Sequence, residues 1–301
     1  MDTSINPILP SVIERIKELF FSSKFKISRD PRIVFVCGAS LASNSGKSAR
    51  KRFLDYSVKH LVDYDIFIAE DFLISLLKNP EDDLLSIENK LGEYSDCIII
   101  FLESPSAIAE LGAFANHENL LGQMLVVNSI KFRDEDSFIN RGPLKRIRKQ
   151  SKFGEIIYCD FNSVLEKVTV IKKQLDDKKS NKKTIKIFNF NDYKSLDPKS
   201  KMLILLDFIA LFQPVKLEEL LFIYKAIIGN SYFEIDFEIN LLMTLKYILK
   251  SDSNYYITCL PYKKPYFSFD RENIIPEIRA IVINAYQRKD KKRMQEYAGY
   301  R

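Results

Sequence analysis

The sequence predicts an α/β protein: a doubly wound, five-stranded parallel sheet followed by a smaller winged-helix domain. Three observations carry this. Five short runs rich in Val, Ile and Phe alternate with helical stretches through the first half of the chain. Those runs are continuously apolar rather than alternating, as expected of strands covered on both faces. After a lysine- and asparagine-rich interruption, three helical patterns precede an alternating segment, the order of a winged-helix module.

The strands expected are Ile33–Cys37, Asp65–Ala69, Cys97–Leu102, Met124–Val127 and Glu155–Cys159. Helices are expected over about Lys47–Leu61, Phe72–Lys78, Asp82–Tyr94, Ser106–Leu121 and Phe161–Gln174, with a leading helix over Ser11–Phe21. Parallel neighbours need crossover connections, so the alternation reads as successive βαβ units. From Asp176 to Lys201 the run D-D-K-K-S-N-K-K marks a linker, although Thr184–Phe190 alternates enough for a short strand. Beyond it, Lys201–Phe212 reads as a helix ended by Pro214, and Leu217–Ile228 as a second stopped by Gly229-Asn230. Phe233–Leu249 reads as a third helix, and Asn254–Cys259 as a strand after the turn Ser251-Asp252-Ser253. A final helix, Ile274–Arg288, leads into the basic tail Arg288–Arg301. The expected boundaries are residues 1–175 for the α/β domain, 176–200 for the linker and 201–301 for the winged helix.

A hydrophobic content of 46% and an aromatic content of 12% supply real cores. No apolar run approaches the ~20 residues that span a bilayer, and the N-terminus has no signal-peptide layout. A cytoplasmic protein with no membrane partner is the expectation. Cys37, Cys97, Cys159 and Cys259 are widely spaced, with no C-x-x-C pair, and His60 and His117 are the only histidines. That excludes a structural zinc site, and the cysteines read as small hydrophobes in a reducing compartment. The net charge of +6 is modest, but Lys145–Lys152, Lys172–Lys186 and Arg288–Arg293 are locally basic. Each run alone reads as a solvated face. Together with a winged helix they point to nucleic acid.

Two constellations could do chemistry. The first βα turn reads V-C-G-A-S-L-A-S-N-S-G-K-S, which resembles a phosphate loop. A nucleotide-hydrolysing loop needs Gly five residues before Gly46, where Leu41 stands, and Gly38 lies eight residues before it. What survives is a weaker site, in which amides after Gly38, with Ser40, Lys47 and Arg50, hold a phosphate at a helix start. A mobile loop is the alternative. The second constellation is acidic: Glu88 on the helix before the third strand, Asp96 at that strand's start, then Glu103 and Glu110 after it. The carboxyl end of a parallel strand and the helix start after it line the ligand crevice. A carboxylate there can attack a sugar carbon or steady charge developing on it. Ser106, Glu110, Ala113 and His117 share one helical face, and Ala107, Ala109, Gly112 and Ala115 keep that helix slim. The alternative for Glu110 is a solvated helix carboxylate.

The segments V-F-V-C-G-A-S (34–40), S-A-R-K-R-F (48–53), E-D-F-L-I-S-L-L (70–77), L-L-S-I-E-N-K-L (84–91) and S-D-C-I-I-I-F-L-E-S-P-S-A-I-A-E-L-G-A-F-A (95–115) resemble the retron-associated effector family, relatives of the nucleoside 2-deoxyribosyltransferases. The resemblance covers residues 30–160, is most specific over 84–115, and implies the transferase-like form of the doubly wound sheet. In the transferases, Glu followed by Leu-Gly after the third strand is the nucleophile that attacks C1′; Glu110 in A-E-L-G-A matches it. Their assisting Asp, eight residues before the strand-starting acid, corresponds to Glu88, counted back from Asp96. Their hydroxyl-holding Asp, six residues before the nucleophile, is replaced by Ser104, with Glu103 beside it. That departure argues against ordinary deoxynucleoside transfer.

The resemblance implies a toxin effector of anti-phage defence, an N-glycosidase acting on NAD+ as substrate, with no further cofactor. It also implies restraint by a reverse transcriptase with its msDNA and non-coding RNA, and an oligomer in which a neighbouring subunit completes each site. On this reading Glu110 and Glu88 are catalytic, and Gly38, Ser40, Arg50, Asp96, Glu103, Ser104 and Ser106 bind substrate. The rivals are a nucleic-acid-binding regulator that senses a nucleotide, a nucleoside or nucleotide deoxyribosyltransferase, and a phosphate-loop NTPase.

Overall fold

The structure is a computed structural model that describes residues 6–27, 31–41, 48–76, 83–177, 187–188, 190–229, 235–259, 265–270 and 273–299. It divides into two units, Pro31–Lys182 and a second made of Met1–Asp30 with Lys183–Arg301. The chain begins in the second unit, with α1 (Leu9–Phe21) and β1 (Phe25–Ile27). The leading helix, expected to belong with the α/β domain, therefore lies outside it.

The first unit runs β2 (Ile33–Cys37), α2 (Ala49–His60), β3 (Asp65–Phe67), α3 (Ala69–Leu76), α4 (Leu84–Glu93), β4 (Cys97–Phe101), α5 (Pro105–Asn116), α6 (Glu118–Leu121), β5 (Met124–Ser129), α7 (Lys145–Gln150), β6 (Ile157–Cys159) and α8 (Val168–Asp177). All five strands are parallel, in the order β3-β2-β4-β5-β6. Every residue of β2, β4 and β5 is buried, which is why these strands read as unbroken apolar runs. On one face Val34, Val36, Ile99, Phe101 and Val127 pack against Ala49 and Phe53 of α2 and Val168, Ile171 and Leu175 of α8. On the other, Phe35 stacks on Phe67 at 5.1 Å and meets Phe114 of α5 at 6.3 Å. The sheet is thus doubly wound. Helix starts follow their caps: Ser48, Asp83 and Ser104 each accept the backbone N–H three residues on.

The second unit continues with β7 (Ile187–Phe188), α9 (Pro198–Phe212), α10 (Leu217–Ile228), α11 (Asp236–Thr244), β8 (Ile248–Lys250), β9 (Tyr256–Thr258), β10 (Phe267–Phe269), α12 (Ile274–Lys289) and α13 (Lys291–Gly299). Between α9 and α10, Val215 bridges to Tyr256 of β9, so the order is helix, bridge, two helices and a hairpin, that of a winged helix. Strand β1 lies between β10 and β7 in an antiparallel sheet.

Three expectations change. The helix expected over Phe233–Leu249 ends at Thr244; Lys246 adopts a positive φ of 60° and Ile248–Lys250 form β8. The basic tail is helical, and Arg293 turns inward, 2% exposed, to pair with the equally buried Glu219. Of the expected linker, residues 178–186 and 189 lie outside the described residues; Ile187–Phe188 belongs to a sheet and α9 already begins at Pro198. Among the described residues no helix is long and apolar enough to cross a membrane.

Candidate active site

In this strand order the chain leaves β2 for β3 on one side and crosses to β4 on the other, so the sheet switches direction between β2 and β4. A crevice opens at such a point, outside the carboxyl ends of the strands. Gly38 follows β2 there. A Cβ on Gly38 would stand 2.9 Å from Arg50 Cδ and 3.3 Å from Phe101 Cβ, so glycine is what lets the Arg50 side chain pass.

Arg50 sits in the first turn of α2 and is 2% exposed. Its two terminal nitrogens each bond one carboxylate oxygen of Glu70 at 2.6 Å, and one also donates to the Ala39 carbonyl at 3.1 Å. This bidentate, charge-assisted pair is a rigid one. Burial pushes the Glu70 carboxyl up, but the Arg50 hydrogen bonds and charge outweigh it and hold Glu70 below the usual range.

Glu110 projects from α5, and its Oε2 is buried without a hydrogen-bond partner. Burial, then the charge of Glu88, push its carboxyl to about 7; Arg50 pulls the other way and Glu70 adds to the push. Glu88, on α4, is likewise pushed to about 7, by burial first and then by the charge of Glu70, against Arg50. Both carboxyls are thus raised towards neutrality, and the charge of Glu88 adds to the shift of Glu110. One of them can then be ionised while the other carries a proton, which is what nucleophile-plus-acid chemistry requires.

The other expected site residues have different employment. Glu103 accepts the backbone N–H groups of Ala49 at 2.6 Å and Arg50 at 3.0 Å, closing the start of α2 from the end of β4. Ser104 caps α5 through the Ala107 N–H, and its hydroxyl lies 2.9 Å from that of exposed Ser106. Ser40 is exposed beside Gly38. Asp96 accepts the Ile33 N–H at 3.0 Å, at the amino ends of β2 and β4, opposite the crevice, so it closes the sheet and cannot touch a substrate there. Arg50, expected to hold phosphate, has its fork committed to Glu70 and instead tunes the carboxylates. Gly46 and Lys47 lie outside the described residues.

Sequence reasoning passed over Glu70 and Cys37. The signal for Glu70 was available: it closely follows β3 as Glu103 follows β4, at another strand's carboxyl end. Cys37 is fully interior; burial, then Glu110 and Glu88, push its thiol far up, so it is an inert neighbour of the pair. Among the described residues no group of three or more His, Cys, Asp or Glu side chains could hold a metal ion.

The fold and site define an α/β protein with two raised carboxyls at the switch point of a doubly wound sheet, in one chain with a winged-helix unit. The family described as the STM3845 retron effector protein matches residues 46–251, and the chain belongs to that family. An Escherichia coli protein named "Retron Ec73 putative ribosyltransferase/DNA-binding protein" is 30% identical over 258 residues, covering 79% of this chain and 80% of its own. The Escherichia coli retron Ec86 protein, named in the same terms, is 39% identical over 135 residues, covering 44% of this chain and 42% of its own.

Proposed function

We propose that this retron effector is an N-glycosidase that cleaves a nucleotide at its sugar–base bond, with NAD+ the first substrate. The observation that carries the reading is the Glu110–Glu88 pair, both carboxyls pushed to about 7 in a crevice at the switch point. The ribosyltransferase named among its relatives is a chemistry of the same bond.

Ionised Glu110 attacks C1′ of the ribose, and the electrons of the C1′–N bond go to the ring nitrogen. Nicotinamide leaves from a pyridinium as a neutral molecule, so no proton donor is needed at this step. Once Glu110 is an uncharged ester, Glu88 loses its proton to solvent; water then attacks C1′, its proton passes to the Glu88 carboxylate and the Glu110 carboxylate is released, a retaining sequence. An adenine or cytosine leaving group would instead take the proton that Glu88 holds. Glu103 and the Ser104–Ser106 hydroxyls form the crevice edge, where hydroxyls can bind the sugar in place of the transferase Asp.

The winged-helix unit would bind the msDNA of a partner reverse transcriptase, largely through phosphate contacts, and that complex would hold the effector inactive in the cytoplasm. An oligomer whose neighbouring subunit completes the crevice belongs to the same proposal. The test is chromatography of NAD+ incubated with purified protein. Free nicotinamide and ADP-ribose are expected from wild type and neither from E110Q; intact NAD+ with wild type rejects the substrate. Added reverse transcriptase–msDNA complex is expected to suppress release.

A further inference from the structure

In helix-turn-helix proteins the later helix of the pair enters the major groove, with its first residues on the base edges. Helices α10 and α11 are that pair here, followed by the β8–β9 hairpin. Helix α11 reads D-F-E-I-N-L-L-M-T, with Asp236 and Glu238 in its first turn and no lysine or arginine in its length. Asp236 is exposed, and Asn240 is the one amide side chain of the helix. Burial first, then the charges of Asp236 and Glu218, push the Tyr256 hydroxyl up, so exposed Glu218 of α10 shares this surface. Lys216 and Lys250 stand over the rings of Tyr255 and Tyr256, at 5.4 Å and 5.8 Å, which leaves the face electrically mixed. Its leading helix would meet phosphates with carboxylates, and like charges repel.

The corner between α12 and α13 is built the other way. Arg288 and Lys289 end α12, Lys291 and Lys292 begin α13, and all four are exposed. None of the four makes a side-chain hydrogen bond or ion pair with a described residue. The acid between them is already engaged. Asp290 accepts the Asn6 amide at 2.7 Å and the Arg293 backbone N–H at 3.3 Å, and pairs with Arg293 Nε at 3.0 Å. Arg293 in turn is buried against Glu219, its guanidinium 4.4 Å from the Tyr286 ring. The corner is thus fastened to the core of its unit while its four cations face solvent. Cations in the last turn of α12 suit the helix dipole, but in the first turn of α13 they oppose it. Helix stability therefore gives no account of Lys291 and Lys292.

We infer that the α12–α13 corner, and not α11, is the surface by which the winged-helix unit grips nucleic acid, through phosphates and without reading bases. The inference rests on the nucleic-acid reading of this unit and changes which element docks. Such a grip selects a nucleic acid by its backbone, whatever its sequence.

The experiment follows the fluorescence anisotropy of a labelled DNA hairpin of about 20 base pairs as full-length protein is added, at salt from about 50 to 300 mM. The variants are Lys291→Ala with Lys292→Ala, Arg288→Ala with Lys289→Ala, and Asn240→Ala. Each corner pair is expected to lower the slope of log affinity against log salt by about 1.8, and to weaken binding about tenfold or more at about 0.1 M salt. These side chains are exposed, so the denaturant midpoint should not move. Asn240→Ala is expected to leave Kd within about twofold, where a lost base contact would cost far more. A scrambled hairpin of the same length is expected to bind as tightly as the first. Unchanged affinity in both corner variants, or a loss on Asn240→Ala as large as theirs, overturns the inference and leaves the nucleic-acid reading standing. No hairpin binding by the wild-type protein at the lowest salt rejects that reading and the inference with it. Binding of phosphatidylglycerol vesicles without binding of the hairpin assigns the corner to a membrane surface and also overturns the inference.

Discussion

Replacing Glu110 by glutamine should stabilise the α/β unit at pH 8 and leave it nearly unchanged at pH 4.5. The carboxyl is pushed from the ordinary 4.5 to about 7, by burial first and then by the charge of Glu88. A carboxyl raised in the fold favours the protonated folded form, so its contribution is fully present below about pH 4.5 and is lost as pH rises through about 7. Raising the carboxyl from 4.5 to about 7, at about 1.4 kcal/mol for each tenfold change in proton affinity, sets a ceiling of about 3.5 kcal/mol. Shared titration with Glu88 and partial solvent access reduce this to about 2 kcal/mol. The amide of the E110Q side chain carries no charge to desolvate, so the variant escapes the loss. For a domain of this size, about 2 kcal/mol corresponds to a rise in Tm of roughly 4–8 °C at pH 8. The assay is urea and thermal unfolding of both proteins across pH 4.5–8, followed with a probe in the α/β unit. An identical offset between the proteins at both ends of that range would refute the argument, because it would mean that Glu110 titrates as a solvated carboxylate.

Gly38→Ala places a Cβ 2.9 Å from the Arg50 side chain at a φ of +156°, and should cost about 1–3 kcal/mol, read by denaturant midpoint, with the proposed glycosidase activity falling as the Arg50–Glu70 pair is displaced. Arg50→Ala strands Glu70; since that side chain keeps 39% exposure, the loss should be about 2 kcal/mol rather than the 3–5 of a fully buried pair. The pH dependence of nicotinamide release should rise through about pH 7 as the pair sheds its first proton, and a rate flat from pH 5 to 8 would remove the pair from the chemistry. In the other unit, Arg293→Met leaves Glu219 charged and unpaired at 1% exposure, which should cost about 3–5 kcal/mol; the double change Arg293→Met with Glu219→Met should recover most of it.

How much of this was legible in the sequence depends on the kind of contact involved. Strands β2, β4 and β5 are buried on both faces, so their runs announced themselves. Residues 245–249 did not, because a short apolar run cannot be told from a helix continuation by pattern. It took the positive φ of Lys246 to end α11 and free Ile248 for β8. The placement of α1 was invisible for a different reason: β1 finds its partners in β10 and β7, far along the chain. Within the site, spacing singled out Glu110 and Glu88, and in the fold each carboxyl is raised, Glu110 by the charge of Glu88 among other causes. It misread Arg50, because its partner Glu70 arrives from another strand end. It misread Asp96, because spacing cannot say which end of a strand a side chain serves.

The acids at the carboxyl ends of these strands show how one residue type is divided among roles by what surrounds it. Glu103 is nearest to the strand end and the most conspicuous in sequence, yet two backbone N–H groups hold it, and its work is to start α2. Glu70 is held by a guanidinium and stays ionised. Glu110 has an enclosed oxygen with no donor, and its largest electrostatic influence is another carboxyl. A buried acid without donors is costly unless it is protonated or in use. Here the cost is moderated by Arg50, whose charge acts on both members of the pair although its hydrogen bonds go to Glu70. Arg50 therefore keeps the pair near neutrality instead of letting it rise further, and Gly38 matters to the chemistry because it leaves room for that side chain. Removing the guanidinium should raise both carboxyls, and the pH at which nicotinamide release begins in Arg50→Ala should move upward with them.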